Sequence, residues 1–463
     1  MELKEERFQE KLRSLDRKSR RELLSEAARL AYREELQIGG RAILFYPLPM
    51  VLDTEKVLQV FGKLDFFLDA LIRLEDHAYS PAGRPLLERL MASLTPGGRH
   101  LVSQCSYEAP SSIRKRQRRI DGFFHRESGE YRIIEVNQAA PLAIHYHDVG
   151  QRIASLVLGR LGFHYEPRLL APHILQWFFD EYRDRFGKGL PEVIALVIEH
   201  GYPPKFTDLP AMARACEKLS REKFNHPLSI RVCFPFEVKR RGSEITLNEA
   251  KVDMIWRNSV YMTAYREQGI DLEDYESILS HPDEFLIVNS TRSWLTRSKE
   301  VFALCWDDAV MREAGFQAGE IEHIREVVPL TVNLGRNGEY RGRILKEREQ
   351  WISKPTDSGF GKGVEFGQSH RSDSWKRLLD DRTCDGFVFQ REVEYPRSSV
   401  TAIEGGGDLS EKLVEYDFCP HHVNGAFPRT ALMRANITEG PGGGRSTMNL
   451  ASGGIMIPLV SSW

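Results

Sequence analysis

The chain has 463 residues, 41 % of them hydrophobic and 28 % charged, with a formal net charge of −2. That length is too great for one hydrophobic core and points to two or three globular domains. The balanced charge argues against nucleic-acid and membrane-surface binding, and no apolar run approaches the ~20 residues of a membrane span. Six cysteines (Cys105, Cys216, Cys233, Cys305, Cys384 and Cys419) lack CxxC spacing, as expected of reduced thiols in a cytoplasm. The opening MELKEERFQEKL has no apolar stretch, so no signal peptide is expected.

Residues 1–36 read as one charged amphipathic helix, with Phe8, Leu12, Leu15, Leu23, Leu24, Ala27, Ala28 and Ala31 at helical spacing and Gly39-Gly40 ending it. A second helix is expected over about 54–75, with Val57, Val60, Phe61, Leu64, Phe67, Leu68 and Leu71 inward. Arg114, Lys115, Arg116, Arg118 and Arg119 form a basic run. It reads either as an exposed loop or as a clamp for an anion. Nucleic acid fits less well, because no aromatics are interleaved.

The stretch Ile120 to Pro141, IDGFFHRESGEYRIIEVNQAAP, reads as a hairpin. Its strands are about Ile120–His125 and Tyr131–Val136, with a turn at Glu127–Glu130. Alternation places Ile133, Glu135 and Asn137 on one face, and the pairing brings Asp121 close to Glu135. Two carboxylates and an amide oxygen make the hard, all-oxygen site that Mg²⁺ prefers; the alternative is a solvated strand end. His145-x-His147-Asp148 reads as a polar loop beside the hairpin, since two ligands do not make a metal site.

From about residue 166 the text becomes that of a small α/β unit. Val193–Ile198 is a continuous apolar run, expected to be buried on both faces of a parallel sheet. Its loop is His200-Gly-Tyr-Pro-Pro204, and Asp208 to Lys223 is helical. Further strands are expected at Leu228–Val238, Ile245–Arg257 and Phe285–Asn289, with ligands at the carboxyl ends. Residues 291–327 read as helical again, with Lys299 opening a helix.

In Trp351 to Phe366, WISKPTDSGFGKGVEF, a strand leads through Lys354 into Gly359, Gly361 and Gly363, and strand text resumes at Val364. Such a flap can bring backbone N–H groups close to a polyanion, with Lys354 as a point charge at its mouth. The alternative is a glycine-rich hairpin without a ligand. The spacing matches neither a P-loop nor a dinucleotide fingerprint. Phe387–Val393 is an apolar strand whose end could face an adenine edge. Ala431–Arg434 looks like a strand, with Arg434 either a phosphoryl-stabilising cation or a surface residue. Gly440–Gly444 reads as a flexible segment and Asn449–Gly454 as an anion-friendly turn. Cys419-Pro-His421-His422 has no second pair at zinc spacing.

Taken together, these motifs resemble the ATP-grasp superfamily, specifically its circularly permuted branch. Arg119-Ile-Asp121-Gly-Phe123 and Glu135-Val-Asn137-Gln-Ala-Ala-Pro141 are similar to that branch's metal hairpin, with 14 positions from Asp121 to Glu135. Asn289, Ser298-Lys299, Pro329-Leu-Thr331 and Lys354-Pro355 match in order, although Ser298 stands where relatives commonly have Asn. The resemblance spans roughly residues 115–455. It implies an α/β (α+β) ATP-grasp fold, permuted so that residues 1–165 hold a helical region and the metal hairpin. Residues 166–295 would be a small Rossmann-like substrate domain, and residues 296–463 the nucleotide-binding region. It also implies an ATP-dependent ligase forming amide or peptide bonds through an acyl phosphate. In that scheme Lys299, Lys354, Gly359, Gly361 and Gly363 hold the phosphates, while Gln390 and Val393 meet adenine. Asp121, Glu135 and Asn137 hold Mg²⁺, and Arg434 and Lys354 serve catalysis. The expected partners are a small carboxylate and an amine (amino acid, peptide or polyamine-like), without nucleic acid or membrane, and the α/β unit could support a homodimer. A phosphotransferase and a non-catalytic ATP-binding interaction protein remain the alternatives.

Overall fold

In the computed structural model, the described residues are 3–103, 110–138, 141–198, 208–258, 263–359, 361–438, 450 and 453–461. The His200–Pro204 loop, Gly440–Gly444 and half of Asn449–Gly454 lie outside them. No helix among the described residues is long and apolar enough to cross a membrane.

Strand Leu409–His422 is the spine of a six-stranded antiparallel sheet. Arg397–Ile403, Ala431–Ile437 and Arg118–Phe124 all pair with it. Tyr131–Asn137 lies beyond Arg118–Phe124, and Ile455–Met456 closes the other side. The early hairpin thus completes a sheet otherwise built from residues 397–456. The period of two explains its two faces. Val414, Tyr416 and Phe418 pack with Ile120, Phe124, Tyr131 and Ile133 into the main core. Asp417, Cys419 and His421 have the opposite parity, and Cys419 packs with Leu432 and the helices of a second core.

The N-terminal region departs from the single expected helix. It is two helices, Glu5–Ser14 and Arg17–Arg33. Leu15 is extended and the Asp16 carboxylate accepts from Ser19 N, which starts a new helix. Thr54–Ala78 forms as expected, with Asp53 capping Glu55 N and Lys56 N.

The basic run is not an exposed loop. It ends a short helix, Pro110–Lys115, and enters the central sheet at Arg118. Arg114 and Lys115 pair with Asp69 and Asp184. Arg116 grips Glu75 with two bonds of 2.9 and 2.8 Å, and Arg118 reaches Gln138 at 2.9 Å. His145 and His147 are also not in a loop: they lie in helix Ile144–Arg160, buried.

The α/β unit is a four-stranded parallel sheet in the order Ile287–Val288, Met254–Asn258, Val193–Ile198, Ser229–Cys233. Val193–Ile198 is covered on both sides: Ile194 and Leu196 face one core, Ala195 and Val197 another. The expected strand Ile245–Arg257 is broken into Glu244–Leu247, Ala250–Val252 and Met254–Asn258, because Asn248 and Glu249 take positive φ and turn the chain. Residues 291–327 form four short helices rather than long ones. A third sheet, of four antiparallel strands, runs Thr331–Val332, Phe387–Arg391, Trp351–Pro355, Glu365–Phe366.

Candidate active site

The hairpin sets Asp121 directly opposite Glu135 and Arg119 opposite Asn137. A bulge after Asp121 leaves Ile134 without a partner in the register. It reverses the parity expected for Ile133, which packs in the core with Tyr131 and Val136 instead of sharing a face with Glu135 and Asn137. The close approach also fixes Gly122, where a Cβ would lie 2.4 Å from the Tyr131 ring.

Asp121 is gripped by two guanidiniums. Arg119 donates from Nε and Nη2 at 2.6 and 2.8 Å, and Arg434 from Nη2 at 3.0 Å. Burial alone would raise the Asp121 carboxyl, but Arg119 and then Arg434 hold it far below the usual carboxylate range. Arg434 is also bound to Asp417, a residue the sequence reading missed. Its signal was the alternation of Glu415, Asp417, Cys419 and His421 along one strand face. Asn137 Nδ2 is buried and has no partner among the described residues.

Lys354 and Lys299 approach from the third sheet and its neighbouring helix. Lys354 is the penultimate residue of strand Trp351–Pro355, and its Nζ donates to Gln390 Oε1 at 2.6 Å and to Ile134 O, on the hairpin, at 3.4 Å. Gln390 Nε2 in turn donates to Thr331 Oγ1 at 3.0 Å. Burial lowers the Lys354 ammonium to about 8; Lys299 adds to the shift and Glu135 opposes it. Lys299, the N-cap of helix Glu300–Leu304, has its Nζ 2.6 Å from Ser358 O and 3.7 Å from Glu135 Oε1. Glu135 and Ile134 therefore join the hairpin to both lysines.

The flap has the expected plan. Strands Trp351–Pro355 and Glu365–Phe366 pair on either side of the glycine segment. Gly361 and Gly363 have φ of 70° and 73°, a region that favours glycine. Below the flap Asp357 accepts from Thr95 N, Trp294 Nε1 and Arg297 Nη1 at 2.9, 3.1 and 2.9 Å. The strand Phe387–Arg391 stops short of Val393, which lies outside any strand. The apolar pattern fails there because Glu392, Glu394 and Pro396 cannot continue a buried ladder.

The arrangement gathers Asp121, Glu135, Lys299, Lys354, Gln390 and Arg434 along one seam between two sheets, beside the flap. Two ammonium groups, a guanidinium and a carboxylate pair suit a polyphosphate and the charge shifts of its transfer.

No protein-family model matches the chain, and no curated protein matches it. Among solved structures, a glutathione-synthetase-like effector from Globodera pallida is similar in fold. It is 12 % identical, with a TM-score of 0.62 over 96 % of this chain and 98 % of its own. A putative gamma-glutamylcysteine synthetase from Methylobacillus flagellatus is 11 % identical over 80 % of this chain and 86 % of its own, with a TM-score of 0.40. A D-alanyl-alanine synthetase from Vibrio cholerae is 10 % identical over 48 % and 66 %, at 0.27. Neither of these two is close enough to bear on the argument. The chain has a mixed α/β fold, shared with the effector over nearly its whole length.

Proposed function

We propose that the protein is an ATP-dependent carboxylate–amine ligase on a circularly permuted ATP-grasp scaffold. The observation that carries this reading is the meeting of Lys299, Lys354 and Glu135 at the mouth of a glycine flap. Lys299 and Lys354 bind the phosphates, and Gly359, Gly361 and Gly363 cover them and exclude water, which would hydrolyse an acyl phosphate. Gln390 and the segment through Val393 face adenine. The oxygen-rich donor set of Asp121, Glu135 and Asn137 fits Mg²⁺; these residues would hold it, and it would neutralise phosphate charge. Arg434 faces the charge that develops on the transferring phosphoryl group. The γ-phosphoryl group passes to the substrate carboxylate with ADP leaving. An amine then attacks the acyl carbon and expels phosphate, giving an amide. A small amino acid, peptide or polyamine-like pair suits a site of this kind, and the effector's likeness to glutathione synthetase supports the same substrate class.

A second reading, a non-catalytic ATP-binding interaction protein, draws on one observation: both arginines occupy Asp121. The test is ADP release from Mg-ATP with hydroxylamine and pooled carboxylic acids. ADP together with a hydroxamate from one acid is expected. Lys354→Ala and Glu135→Ala should each abolish it while circular dichroism stays unchanged. Bound ATP with no ADP from the wild type would favour the interaction protein.

A further inference from the structure

Asp417 and Arg434 face each other in register on neighbouring strands of the central sheet. Asp417 is 1 % exposed. Its carboxylate accepts three bonds from Arg434: Oδ1 from the backbone N at 3.0 Å, and Oδ2 from Nε at 2.9 Å and from Nη2 at 2.5 Å. Nη2 also reaches Asp121 Oδ2 at 3.0 Å and lies 3.4 Å from Cys419 Sγ. Nη1 makes no bond to any described residue, on a side chain that keeps 14 % of its surface.

An arginine is a long, flexible side chain, and a planar fork held at two nitrogens has lost that freedom before any ligand arrives. A buried ion pair is a poor source of stability in itself, because desolvating the two charges offsets their attraction. Here the pair stands on the sheet face that carries Cys419 and His421, bonded to Asp121, where it can aim the one unbonded nitrogen. The double engagement of Nη2 adds a second point. Were Asp121 to turn to a cation, Arg434 would still have a carboxylate partner and would keep its place.

We propose that Asp417 is a positioning residue: it fixes the Arg434 guanidinium so that Nη1 faces the anion on which the reaction develops charge, and it keeps Arg434 from depending on Asp121. The inference rests on the ligase reading above. Asp417→Asn removes the charge and sets an amide N–H against Nη2. Arg434 is then left with Asp121 as its sole carboxylate and competes there with the metal.

The test measures kcat, the KM for ATP and the half-saturating Mg²⁺ concentration for wild type, Asp417→Asn, Asp417→Glu and Arg434→Lys. With Asp417→Asn, kcat should fall about tenfold to a hundredfold, the cost usual for a partner that orients a catalytic group. The KM for ATP should stay within about threefold, as for an interaction made in the transition state. The half-saturating Mg²⁺ concentration should rise. Asp417→Glu, which keeps the charge, should recover part of kcat, and Arg434→Lys should lose as much as Asp417→Asn. A folded Asp417→Asn with wild-type kcat and Mg²⁺ dependence would overturn the proposal. If Asp417→Asn does not fold, Asp417→Glu decides: a reduced kcat supports the proposal and a wild-type kcat overturns it. Absence of ADP from the wild type with every acid sinks the ligase reading and this inference with it. Loss of activity in Arg434→Lys, but not in either Asp417 variant, sinks this inference alone.

Discussion

Burial draws the Lys354 ammonium down to about 8, Lys299 adds to the effect, and Glu135 opposes it. Between that value and the ordinary 10.5 the unfolded chain binds more protons than the folded one, so this group's contribution to stability rises with pH across the window. The cost of keeping the ammonium buried, about 3 kcal/mol, is present in full below pH 8. A polyphosphate needs the charged form. ATP affinity should therefore fall about tenfold between pH 7 and pH 9 as the free protein deprotonates, and Lys354→Met should bind weakly with a flat profile. Isothermal titration at the two pH values checks this, and a wild-type affinity that does not change would remove Lys354 from the phosphates. Lys354 was legible in the sequence because a lysine ahead of a proline and three spaced glycines is a local pattern. Asp417 was not, because the alternation of Glu415, Asp417, Cys419 and His421 marks a strand face but not the arginine opposite it, and cross-strand register is not written locally.

The flap depends on glycine at unequal strength along its length. Gly363 has φ of 73°, and a Cβ there would lie 2.8 Å from Pro355 Cγ, so a side chain meets both backbone strain and a ring that cannot swing away. At Gly359 the nearest atom to an added Cβ is Arg297 Nη2, 3.6 Å off, at the end of a flexible side chain. Gly363→Ala should thus raise the KM for ATP more than Gly359→Ala does. The reverse order in a steady-state comparison would show that the conformation of the flap at Gly363 is not the one that meets ATP. The strand–loop–strand pattern was readable from spacing alone. The helix at Ile144–Arg160 was not, because its first turn is capped from far away: Asp208 accepts from Ala143 N and His145 N at 2.9 and 2.8 Å. A helix whose cap lies on another element shows no start signal in its own text. The hairpin's bulge escaped for a related reason. One extra residue, Ile134, shifts every face beyond it, and nothing in YRIIEVN marks where it falls.

At the scale of the molecule, the hairpin must be held in two directions, toward the strands that follow it by hundreds of residues and toward the α/β unit. Tyr131 makes the first connection, its hydroxyl 3.0 Å from both Ile120 O and Phe418 O. Asn289 makes the second. Its Oδ1 accepts from Gln117 N at 2.9 Å, and its Nδ2 donates to Gln117 O at 2.8 Å and Gln138 O at 2.6 Å. Those carbonyls flank the open end of the hairpin, next to Arg118 and Asn137, so one buried amide ties the parallel sheet to the strands that carry Asp121 and Glu135. Asn289→Ala leaves a buried N–H and two carbonyls unpaired, and it should cost about 2–4 kcal/mol. The loss should be local before it is global, since the third sheet with the flap has its own cluster around Trp351, Trp375 and Phe389. Hydrogen exchange should accelerate across residues 117–138 while residues 351–366 keep their protection. Equal acceleration in both segments would mean that Asn289 supports the whole fold rather than the seat of the hairpin, and no acceleration would mean that the backbone finds other partners there.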